Sequence, residues 1–222
     1  MTTAIITGAS RGLGRALTGG LARAGWNVVV DSRDAEALAA VGFGPGVIPV
    51  AGDVTDSVHR KALIDVADRY GGADLLVNNA GILGPSPQPR LADYPVEVLR
   101  EVYEVNVHAP LVLTQLALPA LRKRGGAVLN LTSDAAIEAY AGWGGYGSAK
   151  AALEQLSRIL AAEEPDVRVW WADPGDLRTR MQQEAFPGED ISDRPEPESV
   201  VPAFLRLLAA RPESGRVRVA QW

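Results

Sequence analysis

The chain has 222 residues, 47% hydrophobic and 22% charged, with a formal net charge of −5. That composition excludes disordered, collagen-like and coiled-coil classes, and the length favours one domain over residues 1–222. Cysteine is absent and the two histidines, His59 and His108, are too few for a zinc site, which excludes disulfides, thiolate metal centres and a Cys nucleophile. No basic run exceeds Arg122-Lys123-Arg124, so there is no nucleic-acid footprint. The start of the chain lacks the basic and apolar pattern of a secretory leader. The longest uncharged stretch, 105–121, carries Asn106, His108, Pro110 and Gln115, and reads as a buried helix rather than a membrane span. A soluble, cytoplasmic protein is expected.

In chain order, a strand at 3–7 runs through Thr7-Gly8-Ala9-Ser10-Arg11-Gly12-Leu13-Gly14 into a helix at 13–24. A glycine-rich turn of this kind lets the backbone approach a pyrophosphate. It also aims the helix N-terminus, with its free N–H groups and positive dipole end, at the charge. The spacing is G-x-x-x-G-x-G rather than the commoner G-x-G-x-x-G, and a tight turn without a ligand uses the same residues. A second strand at 27–31 leads into Ser32 and Arg33. There an acidic side chain would accept a ribose 2′-hydroxyl and a cation would accommodate a 2′-phosphate. Asp31 argues for NAD, Arg33 and Arg11 for NADP; both arginines also fit a solvated surface.

Further elements are a helix at 34–41, a strand at 47–50, a helix at 56–70 and a strand at 75–78. A Pro-rich loop at 84–95 precedes a long helix at 95–121 and a strand at 127–132. A helix at 146–163 and a strand at 167–171 come next. An acidic, Pro-rich loop at 186–197 reads as a surface flap before a helix at 197–210 and a weaker strand at 216–220. The strands are apolar almost throughout, as in sheets covered on both faces. With the β-α alternation this predicts a doubly wound, Rossmann-type α/β fold: a parallel sheet of about seven strands flanked by helices on both faces.

Tyr146 and Lys150, four residues apart at a helix start, share a face. An ammonium about 4 Å from a phenol, at an effective dielectric of 20, favours phenolate by about 4 kcal/mol, or ~3 pK units as a ceiling. That would bring Tyr146 towards proton transfer at neutral pH. Ser133 ends the fifth strand, on the side where open α/β sheets bind ligands, and its hydroxyl suits a substrate carbonyl or a strand-end turn. Asn106, in an apolar helical run, needs partners; it either organises the backbone or holds a proton-relaying water. His59 and His108 read as ordinary helix residues without partners.

Together these residues resemble the short-chain dehydrogenase/reductase family, in its compact single-domain branch. The matches are Thr7–Gly14, Asp53-Val54, Asn78-Asn79-Ala80-Gly81, Asn106, Ser133, Tyr146-x-x-x-Lys150 and Pro174-Gly175, in the family's order and over nearly the whole chain. The resemblance implies an NAD(P)-dependent oxidoreductase interconverting a small or medium carbonyl and its alcohol. Tyr146 would be the acid/base, Ser133 the substrate-orienting group and Asn106 the anchor of a proton relay. Lys150 would lower the Tyr pKa and bind the nicotinamide ribose. Gly8, Ser10, Arg11, Gly12, Leu13 and Gly14 would cradle the phosphates. Asp53 and Val54 would contact adenine, and Asn79, Ala80 and Gly81 would line the cofactor. Pro174 and Gly175 would lie beside it, with Thr179 at the carboxamide or phosphates. In the family the residue that separates NAD from NADP aligns with Ser32, followed by Arg33, and Arg11 sits where NADP-preferring members carry a base; this favours NADP(H).

The chain departs from the family pattern in two places. Ser214–Trp222 replaces the usual T-G-x-x-x-x-V-D-G-G-like segment, which puts the family's tetramer in doubt and leaves a homodimer through the two long helices. Asp173 and Asp176 flank Pro174-Gly175 as caps, as solvated groups, or as recognition groups for a cationic or hydroxylated substrate. Tyr140, Trp143, Leu83, Met181 and Phe186 are candidate pocket walls. A non-catalytic dinucleotide-sensing module is the alternative. Epimerisation or dehydration belongs to a longer branch with a substrate domain.

Overall fold

A computed structural model describes residues 2–222; residue 1 of the expected 1–222 unit lies outside the described residues. Strand and helix alternate as β1 (Thr3–Ile6), α1 (Gly12–Arg23), β2 (Asn27–Ser32), α2 (Ala35–Ala40), β3 (Val47–Ala51), α3 (Ser57–Asp68) and β4 (Leu75–Asn78). Then come α4 (Val96–Tyr103), α5 (Ala109–Arg124), β5 (Ala127–Leu131), α6 (Gly144–Glu163), β6 (Arg168–Asp173), α7 (Arg180–Ala185), α8 (Val201–Ala210) and β7 (Gly215–Arg218). The seven strands form one sheet in the order β3-β2-β1-β4-β5-β6-β7, parallel throughout. This is the doubly wound, Rossmann-type arrangement, with the strand order reversing between β1 and β4.

Successive strand residues point to opposite faces. Ile6, Val28, Val30 and Trp170 therefore pack with Leu17, Leu21 and Phe204 of α1 and α8. Ile5, Val29, Leu76 and Val128 pack with Leu63 of α3 and Leu113 and Leu121 of α5. Coverage on both faces explains why the strands read as apolar runs rather than alternating patterns. Asp34 and Asp56 start α2 and α3 by accepting the N–H groups of Ala37 and Val58.

Several boundaries differ from expectation. The helix expected at 95–121 is interrupted by a π-helical turn, Glu104–His108, and runs on to Arg124, where Gly125 stops it at φ 57°. Helix α6 begins two residues before Tyr146, so the Tyr-Lys pair lies inside the helix. Strand β6 covers Arg168–Asp173 rather than 167–171, and β7 covers Gly215–Arg218 rather than 216–220 before a short 3-10 turn at Val219–Gln221. Helix α7 was not expected: the Thr179 hydroxyl caps it by accepting from the Gln182 N–H at 3.2 Å. Among the described residues, no helix is long and apolar enough to cross a membrane.

Candidate active site

A cleft of about 990 Å³ runs along the C-terminal ends of the strands, and every catalytic or cofactor residue expected from the sequence lines it except Asn106, which is fully buried behind it. The glycine-rich turn forms one end. A Cβ at Gly14 would lie 2.3 Å from the Gly8 carbonyl oxygen and 2.5 Å from Asn79 Nδ2, so only glycine fits. Asn79 Nδ2 donates to the carbonyls of Thr7 at 2.7 Å and Gly8 at 3.1 Å, bracing the turn from β4. Arg11 stands at the N-cap of α1 without a side-chain cap, leaving the helix's first N–H groups without a side-chain acceptor beside the cleft.

At the end of β2, the Ser32 hydroxyl donates to that of Ser10 at 2.9 Å, and Arg11 and Arg33 are exposed on the rim. Asp31 is not free for a ribose: buried at 1% exposure, its oxygens accept from the Gly8 N–H at 2.7 Å and from His59 Nε2 at 3.1 Å. A carboxylate accepts only, so that ring nitrogen carries the proton. This corrects the reading of His59 as partnerless; His108 Nδ1 likewise has a partner, Glu104, at 2.8 Å. The first was not legible because Asp31 is 28 residues from His59 in sequence; the second, an i,i+4 pair, was. Partial burial works to raise the pKa of Asp53. Hydrogen bonds from the Thr55 N–H and hydroxyl, and the charges of Arg33 and His59, outweigh it and hold the carboxyl below its ordinary value.

Tyr146 and Lys150 are both buried on the cleft face of α6. Lys150 Nζ lies 5.5 Å from the Tyr146 ring centroid and donates to the Leu131 carbonyl at 2.8 Å. The expected lowering of the phenol is not seen. Burial, then the charges of Asp173 and Asp134, push Tyr146 above the ordinary tyrosine range, and burial pushes Lys150 down to about 8. The physical reason is that the ammonium is itself desolvated and bonded to a main-chain carbonyl, so its field on the phenol does not offset the removal of water.

Asn106 sits on the π turn. Its Nδ2 donates to the carbonyls of Ile82 and Val102, each at 2.9 Å, and its Oδ1 has no donor among the described residues. A Cβ at Gly81 would fall 2.7 Å from that oxygen and 3.8 Å from Lys150 Nζ, so the two groups flank one glycine. The Ser133 hydroxyl donates to Asp134 Oδ1 at 2.9 Å and accepts from the Ala135 N–H at 3.2 Å. Leu83, Trp143 and Met181 form an apolar wall. Trp143 meets Tyr146 edge-on at 6.0 Å between ring centroids. Tyr140 and Phe186, expected as walls, are not on the lining and instead buttress Trp143 at 6.2 and 6.0 Å.

Asp173 accepts from the Gly175 N–H at 3.0 Å and from Arg216 Nη2 at 3.1 Å; Asp176 is 60% exposed and 3.9 Å from Arg194. Both therefore fit the capping and solvated roles better than substrate recognition. Sequence reasoning missed Glu154 and Arg216. Glu154 falls four residues after Lys150, on the same helix face, and is 1% exposed; a carboxylate at that spacing was the available signal.

The family model for short chain dehydrogenase matches residues 2–190. Serine 3-dehydrogenase of Rhizobium radiobacter is 37% identical over 185 residues, covering 81% of this chain and 73% of the relative. The 7alpha-hydroxysteroid dehydrogenase of Escherichia coli K12 is also 37% identical over 185 residues, with coverages of 79% and 71%. A short chain dehydrogenase from Shigella flexneri 2a str. 301, solved in complex with NADP, superposes with a TM-score of 0.89 at 29% identity, over 99% of this chain and 97% of that one. The chain thus belongs to the short-chain dehydrogenase/reductase family of NAD(P)-dependent oxidoreductases.

Proposed function

We propose that the protein interconverts a small or medium carbonyl compound and its alcohol with NADP(H), using Tyr146 as general acid and base. The observation that carries this is the pairing of Tyr146 and Lys150, buried on one face of α6 and lining the same cleft as Ser133 and the glycine turn. The cofactor fits the residues present: uncapped N–H groups at α1 suit its pyrophosphate, and Ser10, Arg11, Ser32 and Arg33 suit a 2′-phosphate. When bound, NADP(H) supplies the hydride chemistry. The NADP complex of the Shigella protein supports the choice of nucleotide.

In carbonyl reduction Tyr146 gives its proton to the substrate oxygen, a task suited to a phenol that burial and two carboxylates keep protonated. Ser133 turns its hydroxyl from Asp134 to the same oxygen and orients it. Lys150 holds the nicotinamide ribose. Its ammonium pKa near 8 lets it pass a proton on at mildly basic pH. Asn106 Oδ1, a buried acceptor without a donor among the described residues, suits a relay water beside Lys150. The apolar wall of Leu83, Trp143 and Met181 excludes solvent from the reacting centre. A homodimer through α4 and α5 together with α6 is part of the same proposal, supported by the exposed Leu111, Leu116 and Ile159.

The test is NADPH oxidation over a panel of aldehydes, ketones and diketones, with nucleotide affinity followed by fluorescence. Tyr146→Phe should lower turnover at least about a hundredfold while leaving NADPH affinity within a few-fold. Unchanged turnover in that variant defeats the mechanism. Tight NADPH binding without turnover on any panel member by the unmodified protein favours the sensing module.

A further inference from the structure

The segment that departs from the family pattern contributes a charge to the back of the cleft. Strand β7 pairs with β6 in the register Trp171↔Arg216 and Asp173↔Arg218. Arg216 directs its guanidinium inward, where the side chain is 17% exposed. Its Nε donates to Glu154 Oε1 at 2.9 Å, and its Nη2 donates to the Ser133 carbonyl and to Asp173 Oδ2, each at 3.1 Å. One cation thus ties α6, the exit of β5 and the exit of β6. Glu154 Oε1 also accepts from the Thr132 hydroxyl at 2.9 Å, next to the residue whose carbonyl holds Lys150. Its Oε2 accepts from Arg158, which is half exposed, at 3.2 Å.

We infer that Arg216 is a positioning residue for the reactive pair: it clamps the Ser133 main chain and balances the Glu154 and Asp173 carboxylates, so that Lys150 stands against a neutralised rather than an anionic wall. The bearing of this on chemistry rests on the roles given above to Tyr146 and Lys150; the clamp itself does not.

Burial opposes the guanidinium's charge, yet Glu154 and Asp173 more than offset it and hold Arg216 above its ordinary value. The cation therefore persists at every pH at which the protein works. Tyr146 lies against Lys150, and Glu154 follows it by one helical turn on α6; Asp134 after β5 and Asp173 after β6 act on Tyr146, and the exposed pair Arg180–Glu184 on α7 lines the same cleft. Of these, Glu154 and Asp173 are the ones whose charge Arg216 cancels by direct contact. Without the guanidinium they attract a proton to Lys150, and its titration moves upward.

The experiment is a carbon NMR titration of the full chain labelled at lysine Cε, which reads Lys61, Lys123 and Lys150, with Lys150→Met identifying the third signal. The expected midpoint for Lys150 in the unmodified protein is about 8. Arg216→Gln should raise it by about one pH unit, and Arg216→Lys should keep it near its starting value. Asp173→Asn, which removes a carboxylate and keeps the cation, should lower it by a few tenths of a unit. The last variant reports even if Arg216→Gln does not fold. A midpoint that stays fixed in a folded Arg216→Gln protein, or in Asp173→Asn, overturns the inference. A loss of packing alone would admit water to Lys150 and also raise its midpoint, so the downward shift in Asp173→Asn is the reading that packing cannot mimic; the titration uses no substrate, so its result is independent of the turnover assay on Tyr146→Phe.

Discussion

Lys150 shows how burial of a single ionisable residue couples stability to pH. The side chain is 4% exposed, and burial pushes its pKa from 10.5 to about 8. A shift of that size corresponds to about 3 kcal/mol of destabilisation while the group is charged. In the nucleotide-free protein the penalty is fully present below pH 8. Between the folded value and 10.5 the unfolded chain binds more protons than the folded one, so stability rises with pH across that window. Lys150→Met should therefore stabilise the protein at pH 7 by about 2 kcal/mol, after allowing about 1 for the lost bond to the Leu131 carbonyl. The gain should disappear as pH approaches 10.5, as measured by urea denaturation at a series of pH values. A gain independent of pH would contradict the assignment. The Tyr-Lys spacing was readable in the sequence. The direction of the tyrosine shift was not, because it depends on Asp134 and Asp173 lying nearby and on the depth of burial.

At the scale of elements, legibility followed local signals. Strands showed as apolar runs because both faces of the sheet are covered, and α2 and α3 announced themselves through Asp34 and Asp56 at their starts. The π turn was invisible, since it forms where the Asn106 amide reaches Ile82, 24 residues away. Helix α7 was missed although Thr179 and Gln182 have the spacing of a capping box. At the exit of β2, Asp31 was read as a ribose acceptor, but its oxygens accept from the Gly8 N–H and from His59 instead. A prediction belongs to that element. If Arg33 meets the 2′-phosphate, Arg33→Ala should weaken NADPH about tenfold or more, the size of one charge-assisted hydrogen bond, and leave NADH affinity unchanged. Equal losses for both nucleotides in a fluorescence titration would refute it.

The molecule as a whole places its candidate site where the strand order turns back on itself, between β1 and β4, with the glycine turn on one flank and the Tyr-Lys pair on the other. That geography follows from β-α alternation and right-handed crossovers, and so was legible from the pattern alone. The linkage of β7 to the site was not, because Arg216 and Ser133 are 83 residues apart. A four-residue edge strand is paired on one side only, and such margins open locally at less free energy than the centre of a sheet. Fraying of β7 would withdraw the Arg216 cation while leaving the remaining strands intact. Mild urea should then extinguish turnover before far-ultraviolet circular dichroism changes, with amides of 215–218 exchanging hydrogen first; loss of both signals at one urea concentration would show the margin to be locked into global unfolding.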